Sequence, residues 1–184
     1  MRLFVAVLLP EPLAALLGAA AAAVAPSRLR PTRRESLHVT VHFLDEVDAA
    51  GVPALTQALT PACAGRDPFA LRFETITPAP PRRPRMLWAC AAPSAEYAGL
   101  ALAVCGAATA AAPRARPVRP SHPHVTLARA RDGERLRWPA PVPVDGGELA
   151  VRTCTLMCSQ LGPDGPRYSA LATLPLGAQP ARRR

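Results

Sequence analysis

Two short segments of the chain carry the same pattern, and they limit the possible folds more than any other feature. Residues 37–41 read Leu-His-Val-Thr-Val and residues 123–127 read Pro-His-Val-Thr-Leu, so His124 follows His38 by 86 positions. Residues two apart on a strand point to the same face, so each segment presents an imidazole beside a hydroxyl. Because the spacing is about half of the 184 residues, we expect two similar halves.

Apolar periodicity predicts an α+β chain in which the order of elements repeats. Short runs rich in Val, Leu and Phe predict strands, and apolar residues three and four apart predict helices. Strands are predicted over residues 3–9, 37–44, 69–77, 86–91, 124–130, 148–161 and 168–174. Helices are predicted between Pro12 and Pro26, over residues 53–64, and after a cap at Ser94. A turn at residues 162–165 predicts a hairpin of the last two strands.

The composition suits a folded chain with an anionic partner. Hydrophobic residues make up 49% of the chain, which is enough to form a core. The formal net charge is +9, and all 22 basic residues are Arg. Arg binds phosphate through two parallel hydrogen bonds, so this excess favours a polyanionic partner. A bias in base composition would produce the same excess.

The N-terminal segment and the cysteines are evidence on the cellular compartment of the protein. Arg2 and the apolar run after it resemble a secretion leader. Residues 10–12, Pro-Glu-Pro, interrupt that run, so a strand followed by a helix is the preferred interpretation, and no membrane association is expected. The five cysteines are odd in number and lack C-x-x-C spacing, so neither a disulfide framework nor a zinc knuckle is predicted. These features favour a cytoplasmic protein.

The repeated His-x-Thr pattern suits acid–base chemistry on a cyclic phosphate diester. Histidine, with an ordinary pKa of about 6.5, can donate or accept a proton near neutral pH. One ring would take a proton from water, and the other would give a proton to the departing ribose oxygen. The hydroxyls of Thr40 and Thr126 can donate to the non-bridging oxygens. No metal or cofactor is expected. A lone strand histidine is more often structural, but the duplication favours a catalytic role.

His42 lies two residues after Thr40, and His122 lies two residues before His124. On regular strands their side chains would point to the same face as the two pairs, so all four histidines are candidates for one cleft. A metal site is the rival interpretation of such a group. No carboxylate or cysteine joins the cluster, and Thr is a poor metal ligand. A role as polar residues at the rim is the preferred alternative for both.

Five segments resemble one known family over nearly the full length of the chain. They are RLFVAV at residues 2–7, LHVTVHFL at residues 37–44, MLW at residues 86–88, PHVTLAR at residues 123–129 and SQLGPDGPRY at residues 159–168. In these segments the chain resembles the bacterial and archaeal RNA 2′,3′-cyclic phosphodiesterases, historically called 2′-5′ RNA ligases. This family belongs to the two-histidine phosphoesterase superfamily.

The resemblance implies a fold and an activity. The fold would be one domain over residues 1–184 with two pseudo-symmetric α+β lobes, each an antiparallel sheet with helices packed outside. The active-site groove would lie between the lobes. The activity would be hydrolysis of a terminal 2′,3′-cyclic phosphate to a 2′-phosphate, and the partner would be RNA or a nucleotide with a cyclic phosphate. No obligate protein partner is implied. The alternatives are 2′-5′ RNA ligation at the same site and a non-catalytic, basic RNA-binding module.

The resemblance also implies roles for individual residues. His38 would protonate the departing 3′-oxygen and His124 would activate water, although the sequence alone does not fix which ring does which. Thr40 and Thr126 would hold the phosphate, and Arg129 would bind phosphate or RNA. His42 occupies a position that is often basic in relatives, which makes it a further candidate for substrate binding.

Two positions depart from the family pattern. Asp45 stands where relatives usually have Gly. The Trp that often precedes the first motif is absent, and residues 29–31 read Leu-Arg-Pro near that place. Neither departure removes a candidate catalytic group, but both concern the surface that would meet the base.

Overall fold

The strands join into one antiparallel sheet, which confirms the predicted α+β class. A computed structural model describes residues 1–111, 122–131, 136–162 and 165–177. The strands are β1 (Arg2–Leu8), β2 (Arg30–Pro31), β3 (His38–Glu46), β4 (Phe69–Ala79), β5 (Met86–Ala91), β6 (His124–Arg129), β7 (Val142–Val151), β8 (Thr153–Gly162) and β9 (Gly165–Pro175). The helices are α1 (Glu11–Val24), α2 (Val52–Ala64) and α3 (Ala95–Ala111).

The sheet consists of two four-stranded halves that meet between β3 and β6. Its order is β7-β4-β5-β6-β3-β1-β8-β9, and the short β2 pairs with β6. Each half therefore has its His-x-Thr strand innermost. At the junction Val39 pairs with Val125 in antiparallel register, and both side chains are fully buried. The predicted two-lobed arrangement is confirmed.

The single strand predicted over residues 148–161 is wrong, since this segment forms two strands in different halves. β7 ends at Val151 beside β4, and β8 begins at Thr153 beside β9. Only Arg152 separates them, so the two strand ends lie within about 8 Å of each other. β7 and β8 are nevertheless far apart in the strand order, so the sheet curves strongly to bring them together. The core-facing positions change parity at the break, from Leu149 and Val151 in β7 to Cys154, Leu156 and Cys158 in β8.

The first helix crosses from one half of the sheet to the other. Pro12 stands in its first turn, and the side chains of Leu13, Leu17 and Ala21 form its buried face. These residues recur at helical spacing, as the sequence predicts. α1 follows β1 but packs against β6 and β7. The N-terminal segment thus forms a strand followed by a helix, as expected.

The other two helices cover the half of the sheet formed by β3, β1, β8 and β9. The backbone N–H of Tyr97 donates to Ser94 Oγ at 3.1 Å, which confirms the predicted cap of α3. α2 and α3 pack against each other, α2 also contacts β9, and α3 contacts β3. None of the helices in the described ranges has the length and apolarity needed to cross a membrane.

The helices leave one face of the sheet open. The main hydrophobic core lies between the sheet and the helices, and Leu17, Leu59 and Leu100 are among its fully buried members. On the opposite face, Phe4 and Met157 belong to a small separate cluster that Tyr168 covers. The open face is therefore free to form a site.

Candidate active site

Both His-x-Thr pairs lie on the open face, where β3 and β6 meet. His38, Thr40, His124 and Thr126 line one cleft of about 640 Å³. Val39 and Val125 are the pair in register between β3 and β6 in the described part of the chain. His38 and Thr40 flank Val39, and His124 and Thr126 flank Val125, so the four side chains lie on the face opposite the two valines. The fold brings together the four residues that the sequence singled out.

Each histidine is held by the same kind of hydrogen bond. The Nδ1 atom of His38 lies 2.7 Å from the carbonyl oxygen of Ser36, and that of His124 lies 2.8 Å from the carbonyl oxygen of His122. A carbonyl oxygen can only accept, so Nδ1 carries the proton and donates in both rings. Nε2 is left as the atom that can take or give a proton. The two halves therefore present chemically equivalent imidazoles.

Aromatic rings fix the orientation of both imidazoles. The centroid of the His38 ring lies 5.0 Å from that of Phe4 and 5.2 Å from that of Tyr168, which meets it edge-on. The His124 ring stacks on Trp88 at 3.8 Å and 23°. Sequence reasoning assigned no role to these three aromatic residues. The positions of Phe4 and Trp88 in the sequence are the signal that could have indicated these contacts, because the two residues lie on strands that neighbour β3 and β6.

Burial and nearby charge lower the pKa of both rings. For His38, burial is the main cause that moves the pKa below the ordinary 6.5, and the charges of Arg129 and His124 lower it further. For His124, burial again lowers the pKa most, and Arg129 adds to it. The hydrogen bonds to the carbonyl oxygens oppose these effects in both rings. Both shifts therefore favour the neutral form of the imidazoles.

Arginines surround the two pairs. Arg129, which the resemblance implicates, lines the cleft, and one of its guanidinium N–H groups contacts Met86 Sδ at 2.9 Å. Asp45 is the one acidic residue among the described residues that line the cleft. The excess of positive charge attracts phosphate, and guanidinium groups form strong charge-assisted bonds with it. Three further arginines line the cleft, namely Arg2, Arg30 and Arg33.

The prediction that His42 shares the cleft is wrong. The pairing of β1 with β3 shifts between Val5 and Ala6, so that Thr40 lies opposite Ala6 but His42 lies opposite Val5. This β-bulge reverses the parity of the strand. His42 is only 3% exposed, and its Nε2 has no hydrogen-bond partner among the described residues. Phe43 takes the place in the cleft instead.

The side chain of His122 is exposed and does not line the cleft, so the sequence-based interpretation of four histidines in one site is wrong at both outer positions. His122 contributes through its backbone, since its carbonyl oxygen accepts the hydrogen bond from His124. Within the described ranges no group of three or more His, Cys, Asp or Glu side chains is arranged to hold a metal ion.

The backbone conformation at Asp45 accounts for one departure from the family pattern. Its φ is 55°, in the left-handed region that favours glycine and that Asp tolerates better than most residues. The position therefore requires a residue that accepts this backbone conformation. Here it also places a carboxylate on the rim of the cleft.

The fold and the site together define a two-histidine phosphoesterase. Two similar half-sheets meet at one junction, and each contributes a His-x-Thr pair to the same basic cleft. Comparison with known proteins identifies the family. Residues 7–88 match the family model described as LigT like Phosphoesterase, a segment that contains the first motif.

Solved structures extend this likeness to the whole chain. TT0787 of Thermus thermophilus is 32% identical, with a TM-score of 0.84 over 97% of this chain and 100% of that one. E. coli LigT in its apo form is 28% identical, with a TM-score of 0.78 over 96% and 97% of the two chains. E. coli LigT complexed with 3′-AMP is 26% identical, with a TM-score of 0.76 over 95% and 96%. No curated protein sequence matches. The chain belongs to the LigT-like phosphoesterase family.

Proposed function

We propose that this protein hydrolyses the 2′,3′-cyclic phosphate at the end of an RNA to a 2′-phosphate, by acid–base catalysis that needs no metal. The observation that carries the proposal is the presence of two imidazoles in one cleft, each with Nδ1–H bound to a carbonyl oxygen. Membership in a phosphoesterase family supports the class of reaction.

The proposed reaction is an in-line displacement at phosphorus. Nε2 of His124 takes a proton from water as the new oxygen–phosphorus bond forms. Nε2–H of His38 gives a proton to the 3′-oxygen as its bond to phosphorus breaks. The products are a 2′-phosphate and a 3′-hydroxyl, with His124 protonated and His38 neutral, and proton exchange with solvent restores both. This division of roles follows the resemblance described above.

The other residues of the cleft would hold the phosphate. Thr40 and Thr126 stand beside the two rings and can donate to the non-bridging oxygens, where negative charge grows. The guanidinium of Arg129 adds charge-assisted bonds. Its charge lowers the pKa of both rings in the free protein, and a bound phosphate offsets that effect. Substrate binding would therefore favour the protonated ring that the reaction requires.

A nucleotide substrate is supported by a hydrophobic surface in the cleft and by a relative. Phe43 is 54% exposed although it is a large aromatic residue, and its ring lies 6.1 Å from that of Phe4. An exposed aromatic ring suits a nucleobase, since such stacking contributes about 1–3 kcal/mol per base. The structure of E. coli LigT with 3′-AMP supports binding of a nucleotide by this fold.

Product analysis tests the proposal. We expect a short RNA with a terminal 2′,3′-cyclic phosphate to be converted, in the presence of EDTA, to an RNA with a 2′-phosphate, identified by phosphorus NMR. A 3′-phosphate would contradict cleavage of the bond to the 3′-oxygen. Turnover that stops with EDTA and returns with added metal would contradict catalysis without a metal.

The roles of the two histidines can be separated with a better leaving group. A cyclic substrate with sulfur in place of the 3′-oxygen releases a thiolate, which needs no proton from an acid. The defect of His38→Ala should therefore shrink on this substrate, whereas the defect of His124→Ala should persist. The reverse pattern would exchange the two roles.

A further inference from the structure

A second pocket lies beside the cleft. It has a volume of about 450 Å³ and is lined by residues 27–31 together with Arg131. Arg30 and Pro31 line both the pocket and the cleft, so the two spaces are adjacent. We refer to this space as the arginine pocket, since three of its lining residues are Arg28, Arg30 and Arg131.

Backbone bonds fix the arginine pocket to the strand that carries His124. The buried Leu29 donates its backbone N–H to Pro26 at 2.9 Å, and Arg28 and Arg30 flank it. β2 pairs with β6, and Thr32 N–H then donates to the Leu127 carbonyl at 2.8 Å. The pocket therefore has a defined position relative to the candidate catalytic site.

Arginines are concentrated on these paired segments. Arg30 lies directly opposite Arg129 on the neighbouring strand. Arg131 follows Arg129 by two positions and adds a further guanidinium. Guanidinium groups form charge-assisted hydrogen bonds with the phosphates of a polyanion. The arginines that line the cleft and the pocket are Arg2, Arg28, Arg30, Arg33, Arg129 and Arg131.

We propose that the arginine pocket binds a backbone phosphate of an RNA strand whose cyclic end occupies the cleft. This inference rests on the proposed function. A strand that ends in a cyclic phosphate continues only on its 5′ side, so the next phosphates must leave the cleft by one route. The arginine pocket is a basic surface next to the cleft, and it shares Arg30 and Pro31 with it, so it offers these phosphates a binding site. The preferred substrate is therefore an oligonucleotide and not a mononucleotide.

The experiment compares two substrates with the same terminal base, a 2′,3′-cyclic mononucleotide and a trinucleotide with a 2′,3′-cyclic end. The wild-type protein should show a kcat/KM at least about tenfold higher for the trinucleotide, the scale of one charge-assisted bond. The Arg28→Ala/Arg131→Ala double variant should lose at least about tenfold on the trinucleotide and less than about twofold on the mononucleotide. Arg152→Ala is the matched control, since this exposed arginine lies outside both spaces, and both rates should remain unchanged.

Salt dependence provides a second readout. For the trinucleotide, the logarithm of the binding constant decreases with the logarithm of the salt concentration. The steepness of this decrease should be smaller in the double variant, by about 0.7 for each phosphate that it no longer binds. Equal losses on both substrates, or a wild type without preference for the trinucleotide, would overturn the arginine pocket as a phosphate site. A wild type that hydrolyses neither substrate would instead contradict the proposed function itself.

Discussion

At the scale of single residues, the local environment fixes the tautomer and the orientation of each histidine in the cleft. The bonds from Nδ1 to the carbonyl oxygens of Ser36 and His122 fix the tautomer, and the neighbouring aromatic rings fix the orientation. Burial lowers the pKa of both rings, which favours their neutral form. Under the proposed function, a phosphate bound between the rings would oppose this shift.

Removal of either imidazole should stop most of the chemistry. We expect His38→Ala and His124→Ala each to lower turnover of a cyclic phosphate at least ~100-fold, the scale of general acid–base catalysis. His122→Ala is a matched control, because it removes an exposed ring but keeps the carbonyl oxygen that His124 needs. Turnover rates, with circular dichroism to verify folding, provide the measurement. Near-normal turnover in either of the first two variants would remove that histidine from the mechanism.

The dependence of kcat/KM on pH should reflect both lowered pKa values. One ring must be neutral and the other charged, so the profile should be bell-shaped. Because burial and Arg129 hold both pKa values below 6.5 in the free protein, the maximum should lie below pH 6.5. Arg129→Gln removes a positive charge that lowers both pKa values, so both limbs should move to higher pH. A maximum above pH 7, or limbs that do not move in the variant, would contradict this assignment.

At the scale of elements, the β-bulge in β3 decides which residues reach the cleft. Up to Thr40 the strand alternates as a regular strand would, and beyond the bulge Phe43 and Asp45 face the cleft. His42 is turned into the protein, where burial lowers its pKa and the charge of Asp45 opposes the change. The bulge thus replaces an imidazole in the cleft with an aromatic ring.

Replacement of His42 should increase stability without a loss of turnover. A buried nitrogen without a partner reduces stability by about 1–3 kcal/mol, so His42→Leu should raise the free energy of unfolding at pH 7.5 by about 1 kcal/mol. The pKa of His42 in the folded state is below its unfolded value of about 6.5, so its protonation destabilises the fold as pH falls below 6.5.

Denaturant unfolding at pH 7.5 and pH 5 measures both effects. The loss of stability between these values should be smaller in His42→Leu than in the wild type, and His122→Leu, at an exposed position, should behave like the wild type. A His42→Leu variant that is less stable at pH 7.5 and equally sensitive to acid would contradict the account of this residue.

The sequence predicts the elements and the four central site residues because both depend on local pattern. Strand alternation places His38 beside Thr40, and the duplicated motif indicates the two halves. The bulge at His42 and the break at Arg152 escape prediction, because each depends on how a strand pairs with its neighbours. The contribution of Tyr168 escapes for the same reason, since β9 reaches the site only through the pairing of β8 with β1.

At the scale of the whole molecule, the junction of the two halves sets the geometry of the site. Each half contributes one imidazole and one hydroxyl, and the relative position of the two pairs depends on the contact between β3 and β6. Val39 and Val125 are the residues paired in register there, and both are fully buried. Small changes in this contact would move one imidazole relative to the other.

A cavity at the junction should therefore reduce activity as well as stability. Val125→Ala should lower the free energy of unfolding by roughly 1–3 kcal/mol, as removal of buried methyl groups does. It should also lower turnover, because the two rings lose their alignment.

Val151→Ala is the matched control, since Val151 in β7 is equally buried but lies away from the junction. Denaturant unfolding and turnover per folded protein should show equal stability losses but a fall in turnover only for Val125→Ala. Equal turnover in the two variants would contradict this role of the junction.

A crystal structure with a nucleoside 2′,3′-vanadate, which imitates five-coordinate phosphorus, tests the central claim most directly. We expect Nε2 of His38 and Nε2 of His124 to lie within hydrogen-bond distance, about 2.6–3.2 Å, of the two opposite apical oxygens of the same vanadium. A vanadate that contacts only one of the two rings, or that binds away from the junction of β3 and β6, would contradict it.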